Sequence, residues 1–209
     1  MNILLADDHE VMRAGVRRLL ETREGWTVCA EARDGREAVA RAAELAPEVA
    51  ILDVTMPELN GVEATKRICD ASSGTGVIVY TMHAEEQVVR DAFQAGAVGF
   101  VLKTDVGAVL MEAVEAAGVK RRFVTPRLAD AVDGGRRRGS APREARLTSR
   151  EREVVQLLAE GKTNWCISVI LGIGVKTVET HRANAMQKLG TDSVVELVRY
   201  AVRNKLIEP

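Results

Sequence analysis

Residues 49–61 read VAILDVTMPELNG, and this segment gives the clearest indication of the architecture. Four apolar residues lead directly to the acid Asp53, and a polar turn containing Pro57 and Gly61 follows. A short apolar run bounded by turn residues is typical of a strand that is buried on both faces, as in a parallel sheet. The segment therefore predicts that Asp53 stands at the carboxyl end of a buried strand.

The same alternation of strand and helix continues on both sides of this segment. Short runs rich in β-branched residues are found at residues 3–6, 27–31, 49–52, 77–81 and 98–102. Amphipathic segments that follow them predict helices at residues 10–21, 35–45, 62–71, 85–95 and 106–116. This order predicts an α/β doubly wound (βα)5 domain over residues 1–120, flavodoxin-like, with strand order 2-1-3-4-5.

Reactive side chains stand at the ends of four of these strands. They are Asp7 and Asp8 after the first, Asp53 after the third, Thr81 in the fourth and Lys103 after the fifth. In a doubly wound sheet, ligands gather at the carboxyl ends of the strands. Three carboxylates brought together repel one another unless a hard cation joins them, so we expect a Mg²⁺ site. With a lysine and a hydroxyl nearby, a carboxylate nucleophile could accept a phosphoryl group, and Asp53 is the candidate.

The net charge of −1 conceals two halves of opposite charge. Residues 1–120 hold 12 Lys and Arg against 20 Asp and Glu, whereas residues 121–209 hold 17 against 10. The resulting charges of −8 and +7 suggest that the second half faces a polyanion such as nucleic acid. Residues 121–146 predict a linker with one candidate short helix, because much of the segment is Gly, Pro, Ser and arginine. Its solvated tether would include Arg136, Arg137 and Arg138.

Composition and cysteine usage limit the class of protein. Hydrophobic residues at 46% and charged residues at 28% exclude a disordered chain, a collagen and a disulfide-based mini-fold. Cys29, Cys69 and Cys166 are too widely separated for a disulfide framework or a zinc site. The amino terminus does not resemble a signal peptide, and no apolar stretch is long enough to cross a membrane. We therefore expect a cytoplasmic protein that does not contact a membrane.

The segment after the linker is predicted to be helical. Thr148 and Glu151 form a capping-box pair at the start of its first helix. Ser193 and Glu196 suggest a second capping box at the last helix, with Asp192 as a competing cap. Helices are expected at residues 148–160, 164–171, 175–189 and 193–204. Two short helices joined by the turn LGIGV predict an all-α four-helix domain of the helix-turn-helix type, whose second helix enters the major groove.

Four segments of the first half carry a specific pattern in order: ILLADDHEVMRAGVRRLL, ILDVTMPELNGVEA, VIVYTMH and GAVGFVLKTD. Together they resemble the receiver domain of two-component response regulators, over residues 1–120. The resemblance implies that Asp53 accepts phosphate from a sensor histidine kinase. It also implies that Asp8, Asp53 and the backbone carbonyl of Thr55 bind Mg²⁺ directly, while Asp7 acts mainly through water.

The resemblance assigns roles to further residues around the pocket. Thr81 and Phe100 resemble the switch pair, in which the hydroxyl turns toward the phosphoryl group and the ring moves inward. Thr55 and His83 border the path of the hydrolytic water, so we hypothesise that they set the lifetime of the phosphorylated state. Many receivers carry proline after the lysine, whereas Thr104 stands here, so a cis-proline turn is not available.

The helical segment after the linker begins with LTSREREV at residue 147 and carries VKTVETH and KLG in its third helix. Together with Gly161 and Asn164, these segments resemble the LuxR-type DNA-binding domain of the NarL/FixJ class of response regulators, here assigned to residues 147–209. Phosphate contacts are expected from Lys176, Thr177, Arg182 and Lys188. Alignment with the family assigns base-edge contacts to Glu179, Thr180 and Ala183.

Three residues of this half depart from simple expectation. Glu179 either accepts a hydrogen bond from cytosine N4 or is an exposed glutamate that orients Arg182 or His181. Trp165 and Cys166 replace a Lys-Glu-Ile-Ala-like stretch of the second helix. These departures concern the contacts with the operator and leave the predicted fold unchanged.

The last predicted helix is apolar over more than one face, which suggests a partner helix. In this class, that helix pairs two DNA-binding domains on an inverted-repeat site. Pairing would use Val194, Val198 and Val202. The alternative is that all the apolar residues of this helix pack within one domain.

These features together predict a phosphorylation-gated, DNA-binding transcription regulator that is not an enzyme. Its expected partners are a sensor histidine kinase, promoter DNA and a second copy of the chain, with RNA polymerase as a further candidate. One alternative is a receiver that acts through protein partners alone, with a degenerate DNA-binding domain. The other is a phosphatase, which is disfavoured because haloacid-dehalogenase-like enzymes need a second Asp two residues after the nucleophile, where Thr55 stands.

Overall fold

The structure is a computed structural model that describes residues 1–72, 74–128 and 147–208. The chain divides into two compact units, Met1–Arg138 and Gly139–Pro209. Most of the expected linker lies outside the described residues, as do Arg136, Arg137 and Arg138. None of the helices in the described part of the chain has the length and apolar character that crossing a bilayer requires.

A parallel sheet of six strands forms the centre of the first unit. The strands are β1 (Asn2–Ala6), β2 (Thr27–Ala32), β3 (Val49–Leu52), β4 (Gly76–Thr81), β5 (Gly99–Leu102) and β6 (Phe123–Val124). They follow the order β2-β1-β3-β4-β5-β6, and every neighbouring pair is parallel. The predicted doubly wound fold and its strand order 2-1-3-4-5 are confirmed, with one additional strand at the β5 edge.

Five helices cover the sheet, and each agrees with its prediction to within two residues at either end. They are α1 (Glu10–Leu20), α2 (Gly35–Leu45), α3 (Gly61–Ala71), α4 (Glu86–Gln94) and α5 (Gly107–Gly118). Short polar side chains begin two of them. The Asp34 carboxylate accepts hydrogen bonds from two amides of the first turn of α2, and Asn60 accepts one from the amide of Glu63 in α3.

The additional strand β6 lies in the segment that the sequence analysis assigned to the linker. Lys120, with φ of 54°, reverses the chain after α5. The amide of Phe123 then donates to the carbonyl of Val98 at 2.8 Å, and a 3-10 turn follows at Pro126–Leu128. A strand of two residues has no hydrophobic periodicity that a sequence pattern could detect.

The core has two layers because successive residues of a strand point to opposite faces of the sheet. Ile3 and Leu5 of β1 pack in the cluster that includes α1 and α5, whereas Leu4 and Ala6 pack in the cluster that includes α2 and α3. A third cluster surrounds Phe100 and includes residues of β4, β5 and α4. Since the strands are buried on both faces, the reactive polar residues are found at the strand ends.

The second unit contains the predicted four helices. They are α6 (Ser149–Ala159), α7 (Asn164–Leu171), α8 (Val175–Leu189) and α9 (Val194–Arg203). Gly172 and Gly190 end α7 and α8 in the left-handed conformation, with φ of 63° and 65°. Buried residues of α6 pack in two clusters, one with α7 and α8 and the other with α8 and α9.

Of the two capping boxes predicted here, the first is confirmed and the second is wrong. The amide of Glu151 donates to Thr148 Oγ1 at 3.2 Å, and the amide of Thr148 donates to the Glu151 carboxylate at 2.7 Å. At α9, the Ser193 side chain makes no capping bond. Thr191 takes its place, because its hydroxyl contacts the Glu196 carboxylate and accepts from the amide of Ser193 at 3.1 Å.

Candidate phosphoacceptor pocket and nucleic-acid interface

An acidic pocket with one buried lysine lies at the carboxyl ends of β1, β3 and β5. The Lys103 ammonium is 2.6 Å from Oδ2 of Asp53 and 2.7 Å from Oδ2 of Asp7. The three side chains are almost fully buried, whereas Asp8 is partly exposed at the rim. The structure thus brings together the pocket residues that the strand ends predicted, including Thr81, which is fully buried at the end of β4.

The turn after β3 fixes the position of Asp53. Its Oδ1 accepts a hydrogen bond from the amide of Val54 at 2.6 Å, which leaves Oδ2 toward Lys103. The amide of Gly61 donates to the Val54 carbonyl at 2.8 Å and brings the start of α3 against the turn. A Cβ atom at Gly61 would overlap the backbone oxygen of Asp53, so a side chain is excluded there.

The charges of Asp53 and Lys103 depend on each other. Burial raises the pKa of Asp53 above its ordinary value, and the lysine only partly offsets this effect. Burial also opposes the charged form of Lys103, but Asp53 and Asp7 outweigh it and raise the lysine pKa above its usual value. The pocket therefore holds a firmly protonated lysine beside a carboxylate whose charge is costly, and added positive charge would favour the ionised carboxylate.

Two further residues that build this pocket, His9 and Arg13, were not predicted from the sequence. His9 Nδ1 lies 2.8 Å from Asp8 Oδ1, and Asp8 is the largest cause of the raised pKa of His9. Arg13 is buried in α1, donates to the backbone oxygen of Asp7 at 2.6 Å and pairs with Glu31 of β2 at 3.2 Å. The only available signal was their position at the start of α1, where His9 is the N-cap residue and Arg13 lies in the first turn.

The acidic pocket has the donors that a hard divalent cation prefers. One oxygen or nitrogen from each of Asp7, Asp8, His9 and Asp53 lies within 4.8 Å of the others. Carboxylate oxygens of this kind suit Mg²⁺ at its short ligand distances, whereas a histidine nitrogen is a softer donor. The carboxylates therefore fit the predicted cation, and Thr55, whose backbone carbonyl was expected to contribute, is buried beside them in the same turn.

Two polar residues outside the carboxylates form a direct contact. Thr55 Oγ1 lies 3.1 Å from Nε2 of His83, and the amide of His83 donates to Thr81 Oγ1 at 3.3 Å. His83 Nδ1 is also 3.9 Å from the Glu85 carboxylate. The structure thus joins the two residues that were expected to control the water path.

The other predicted switch residue, Phe100, is fully buried in β5. It packs in a cluster with Val54, which follows Asp53, and with Val88 and Val89 of α4. Leu128 of the 3-10 turn completes the same cluster. The ring therefore lies between the turn that carries Asp53 and the 3-10 turn that contains Leu128.

Helix α8 presents an exposed polar surface in the second unit. Only Val178 and Ala185 of this helix are buried. The predicted DNA contacts Lys176, Thr177, Glu179, Thr180 and Ala183 are exposed, and Arg182 is half-buried. In the described part of the chain, Glu179 makes no ion pair, so the structure lends no support to the alternative that it orients Arg182 or His181.

Lys188 has a partner within its own unit. Its ammonium lies 2.8 Å and 2.7 Å from the two carboxylate oxygens of Glu151. A contact with DNA phosphate, as the sequence predicted, would have to compete with this ion pair. The pairing was not foreseen because the two residues are 37 positions apart.

The apolar residues of α9 divide between the core and the surface. Leu197 and Ala201 are fully buried, whereas Val194 and Val195 are 45% and 62% exposed. The alternative that all of them pack within one domain is therefore wrong. Val194, together with half-buried Val198 and Val202, repeats every four residues, so these side chains share one stripe of the helix.

Helix α7, the second helix of this unit, exposes two large apolar side chains. Trp165 is 67% exposed and Val169, one turn later, is 62% exposed. Cys166 is half-buried, and its amide donates to Thr163 Oγ1 at 3.2 Å. Gly174 begins α8 without a side-chain cap. Nothing in the structure explains the presence of Trp165.

Comparison with known proteins agrees with this architecture. Residues 3–115 match the family described as response regulator receiver domain, and residues 145–201 match the bacterial regulatory proteins of the luxR family. The chain therefore belongs to the response regulators that combine a receiver domain with a LuxR-type DNA-binding domain. Proteins of this family are transcription regulators of two-component systems and not enzymes, so the phosphatase alternative is wrong.

Individual relatives match over nearly their whole length. The transcriptional regulatory protein LiaR of Bacillus subtilis (strain 168) is 38% identical over 210 residues, which is 99% of each chain. The oxygen regulatory protein NreC of Staphylococcus epidermidis (strain ATCC 35984) is 34% identical over 217 residues, covering 100% of both chains. The structure of RcsB from Salmonella enterica serovar Typhimurium, bound to promoter P1flhDC with the phosphomimetic BeF3-, is 28% identical with a TM-score of 0.65. That match covers 96% of this chain and 97% of the RcsB chain.

Proposed function

We propose that a sensor histidine kinase phosphorylates Asp53 and that this phosphorylation controls dimerisation and sequence-specific binding to promoter DNA. The observation that carries the proposal is the position of Asp53, a buried carboxylate with one oxygen 2.6 Å from Lys103. A structural ion pair would not need two further acids, Asp7 and Asp8, at the same edge of the sheet. Such a regulator acts in the cytoplasm, where its promoter is found.

The transfer forms one bond and breaks another at phosphorus. A carboxylate oxygen of Asp53 attacks the phosphorus of a phosphohistidine while the P–N bond breaks, and the electron pair of that bond stays on the imidazole of the kinase. Lys103 lies where its charge can neutralise a phosphoryl oxygen, and the Thr81 hydroxyl at the end of β4 would donate a hydrogen bond to the phosphoryl group. The product is an acyl phosphate on Asp53.

The acidic pocket would hold Mg²⁺ through Asp8, Asp53 and the backbone carbonyl of Thr55, with Asp7 acting mainly through water. When bound, the cation supplies positive charge that offsets the negative charge of the phosphoryl oxygens. The raised pKa of Asp53 supports this role, since the ionised nucleophile needs positive charge nearby. Thr55 and His83, whose side chains lie 3.1 Å apart, would then set the lifetime of the acyl phosphate.

For DNA binding, we assign phosphate contacts to Lys176, Thr177 and Arg182 and base-edge contacts to Glu179, Thr180 and Ala183. All of these residues except half-buried Arg182 are exposed on α8, which supports the assignment, since a helix that enters the major groove must present polar side chains. Lys188 is a weaker candidate because of its pairing with Glu151. Glu179 is exposed on α8, where its carboxylate would accept a hydrogen bond from cytosine N4.

For dimerisation, we assign the stripe of Val194, Val198 and Val202 on α9. Apolar side chains repeated every four residues on an exposed helix face match a second copy of the same stripe around a two-fold axis. Two copies related in this way would read an inverted repeat. RNA polymerase is a further partner to test once the operator is known.

The test uses the full chain as wild type and as the Asp53→Asn variant, with and without acetyl phosphate and Mg²⁺. Intact mass reports phosphorylation, light scattering reports oligomeric state, and sequencing of fragments retained from a promoter library reports DNA binding. We expect the wild type to gain one phosphoryl group, to dimerise and to enrich a defined site. Asp53→Asn should do none of these, whereas Asp70→Asn, at an exposed residue of α3, should behave as wild type.

Two results would contradict the proposal. If wild type and Asp53→Asn enrich the same sites to the same extent in both conditions, phosphorylation does not control DNA binding. If neither enriches a sequence at any salt concentration, the chain acts through protein partners alone.

A further inference from the structure

Residues 122–128, here called the edge segment, form the last described part of the first unit. They comprise Arg122, strand β6, Thr125 and the 3-10 turn Pro126–Leu128. The chain passes through this segment on its way from the receiver to the second unit. The contacts that hold this segment on the receiver can therefore transmit a change at Asp53 to the rest of the chain.

The edge segment is built onto the switch residue Phe100. Val124 is the sheet partner of Phe100, and the amide of Thr125 donates to the Phe100 carbonyl at 3.0 Å. The side chains of Val124 and Leu128 pack in the same cluster as the Phe100 ring, and Leu128 is almost completely buried there. Phe100 therefore contacts both Val54, which follows Asp53, and the edge segment.

A second connection leads from the edge segment to the turn that carries Lys103. One carboxylate oxygen of Asp105 accepts from the amide of Leu102 at 3.2 Å and from the Thr125 hydroxyl at 2.9 Å. The amide of Lys103, between them, donates to the Thr81 carbonyl at 2.8 Å. Asp105 is therefore a positioning residue that joins the turn of Lys103 to the edge segment.

A third contact holds the start of the segment on α4. The Arg122 guanidinium lies over the Phe93 ring, 4.0 Å from its centre, in a cation–π arrangement. A parallel pair of only two residues has few ladder hydrogen bonds. The segment therefore depends for its position on Phe100, on Asp105 and on α4, and a shift in any of them weakens its seat.

We infer that the edge segment is the output element of the receiver, seated when Asp53 is unmodified and loosened when Asp53 is phosphorylated. The inference rests on the proposed function. A phosphoryl group on Asp53 draws the Thr81 hydroxyl toward it, the buried Phe100 ring repacks toward the space beside Thr81, and the ring withdraws from Leu128. Because coupling is reciprocal, a change that loosens the segment must in turn favour the phosphorylated conformation.

Hydrogen exchange on the full chain tests the first half of this statement. Samples with and without acetyl phosphate and Mg²⁺ are compared, and intact mass scores phosphorylation in each. We expect amides of residues 122–128 to exchange at least about five-fold faster in the phosphorylated protein, with α2 unchanged. Unchanged or slower exchange in a protein that gained the phosphoryl mass would overturn this inference and leave the proposed function intact. A protein that gains no phosphoryl mass overturns both.

Two variants test the reciprocal half, since neither residue lies in the pocket. Thr125→Val removes the hydroxyl bonded to Asp105 and keeps the shape, while Leu128→Ala removes packing against Phe100. Both should accelerate phosphorylation by acetyl phosphate several-fold.

The matched controls are Thr22→Val, whose exposed hydroxyl donates to the Leu19 carbonyl, and Val16→Ala, in the cluster of the opposite sheet face. Both controls should react at the wild-type rate. Should Leu128→Ala fail to fold, Thr125→Val alone decides the test. Wild-type or slower phosphorylation of the variants would overturn the inference.

Discussion

Lys188, in the last turn of α8, binds both carboxylate oxygens of Glu151, in the first turn of α6. The same carboxylate accepts the amide of Thr148 and completes the capping box of α6. Charge-assisted hydrogen bonds of this kind are stronger than neutral ones, and Glu151 is buried. One side chain therefore holds the start of the second unit and the end of the helix assigned to the major groove.

Replacing Glu151 by glutamine should lower the free energy of unfolding of the second unit by about 1–3 kcal/mol at neutral pH. Burial alone would raise the pKa of Glu151, but bonds from Lys188 and Thr148 outweigh it, so the pKa lies below its ordinary value of 4.5. A carboxyl group with a lowered folded pKa stabilises above the unfolded pKa and loses this effect as pH falls through the folded one. The difference between wild type and variant should therefore shrink below about pH 4.5.

Hydrogen exchange of the α6 and α8 amides in the full chain, measured from neutral pH to below about 4.5, gives the free energy of unfolding of the second unit. Glu179→Gln makes the same chemical change at an exposed position of the same unit and should leave stability unchanged. A constant difference between wild type and Glu151→Gln at every pH would show that the charge of Glu151 is not the cause.

Asp53→Asn should raise the melting temperature of the first unit in EDTA. Burial raises the pKa of Asp53, and a carboxyl group with a raised folded pKa loses stability as pH rises through that value. At neutral pH the ionised Asp53 therefore destabilises the fold, and asparagine removes this cost. An increase of a few degrees is expected, since about 1 kcal/mol shifts a domain of this size by roughly 4 °C.

Mg²⁺ should then stabilise the wild type more than the variant, because the cation offsets the cost of burying the ionised Asp53. Calorimetry with EDTA and with Mg²⁺ measures both effects, and Asp70→Asn serves as the exposed control. A variant that melts below the wild type in EDTA would refute this account of the pocket.

Thr55→Ala and His83→Ala should each accelerate loss of phosphate from Asp53 by several-fold, because both open the space beside it to water. Their effects should not add, since the two side chains share one hydrogen bond of 3.1 Å. Decay of the phosphorylated protein is followed by intact mass for the single and double variants. Comparison of the rates gives the interaction between Thr55 and His83 in the phosphorylated state. An unchanged rate in the double variant would remove these residues from control of the lifetime.

Lys176→Ala should weaken binding to all DNA sequences and reduce the salt dependence of binding by about one counterion. Glu179→Ala should instead relax the preference at one base pair, by about 1–3 kcal/mol, because the acceptor for cytosine N4 is lost. Fluorescence titrations against the selected site and its single-base variants separate the two effects. Arg203→Ala, at the end of α9, is the control for loss of one positive charge. Equal weakening by all three variants would contradict the assignment.

Val198→Lys should prevent dimerisation of the phosphorylated chain and binding to the inverted repeat, while binding to a single half-site persists. A charge in the middle of the α9 stripe is costly to bury against a second copy. Val169→Lys is the matched control, because Val169 is an exposed valine of the same unit but lies on α7. Light scattering and half-site titrations report the outcome. Equal effects of both substitutions would place the contact elsewhere.

Most of the receiver fold was predictable because its signals are local. Buried strands of four to six residues and the helices between them have distinct periodicities, and Asp53 and Lys103 followed from strand ends. Strand β6 was missed, since its two residues are held by partners in β5. Arg13 was missed because its role depends on contacts with Asp7 and Glu31, which adjacency in sequence does not reveal.

The second unit shows the same limit. Helix bounds and the Thr148 capping box depend on neighbouring residues and were predicted. The bond between Lys188 and Glu151 joins two helices, so no local pattern identifies it. The last helix gave a misleading local signal, because Ser193 and Glu196 have capping-box spacing. The Glu196 carboxylate instead accepts a hydrogen bond from the Thr191 hydroxyl. Competition between nearby hydroxyl groups is settled by the path of the turn.

The overlap that a side chain at Gly61 would make with the backbone of Asp53 limits how this protein can evolve. Any mutation of that codon to another amino acid displaces the turn that presents the phosphoacceptor, even though Gly61 has no chemistry of its own. A lineage that lost selection for phosphorylation would be free to change both positions. A sequence survey that finds a larger residue here should therefore also find that the aspartate eight positions earlier has been replaced.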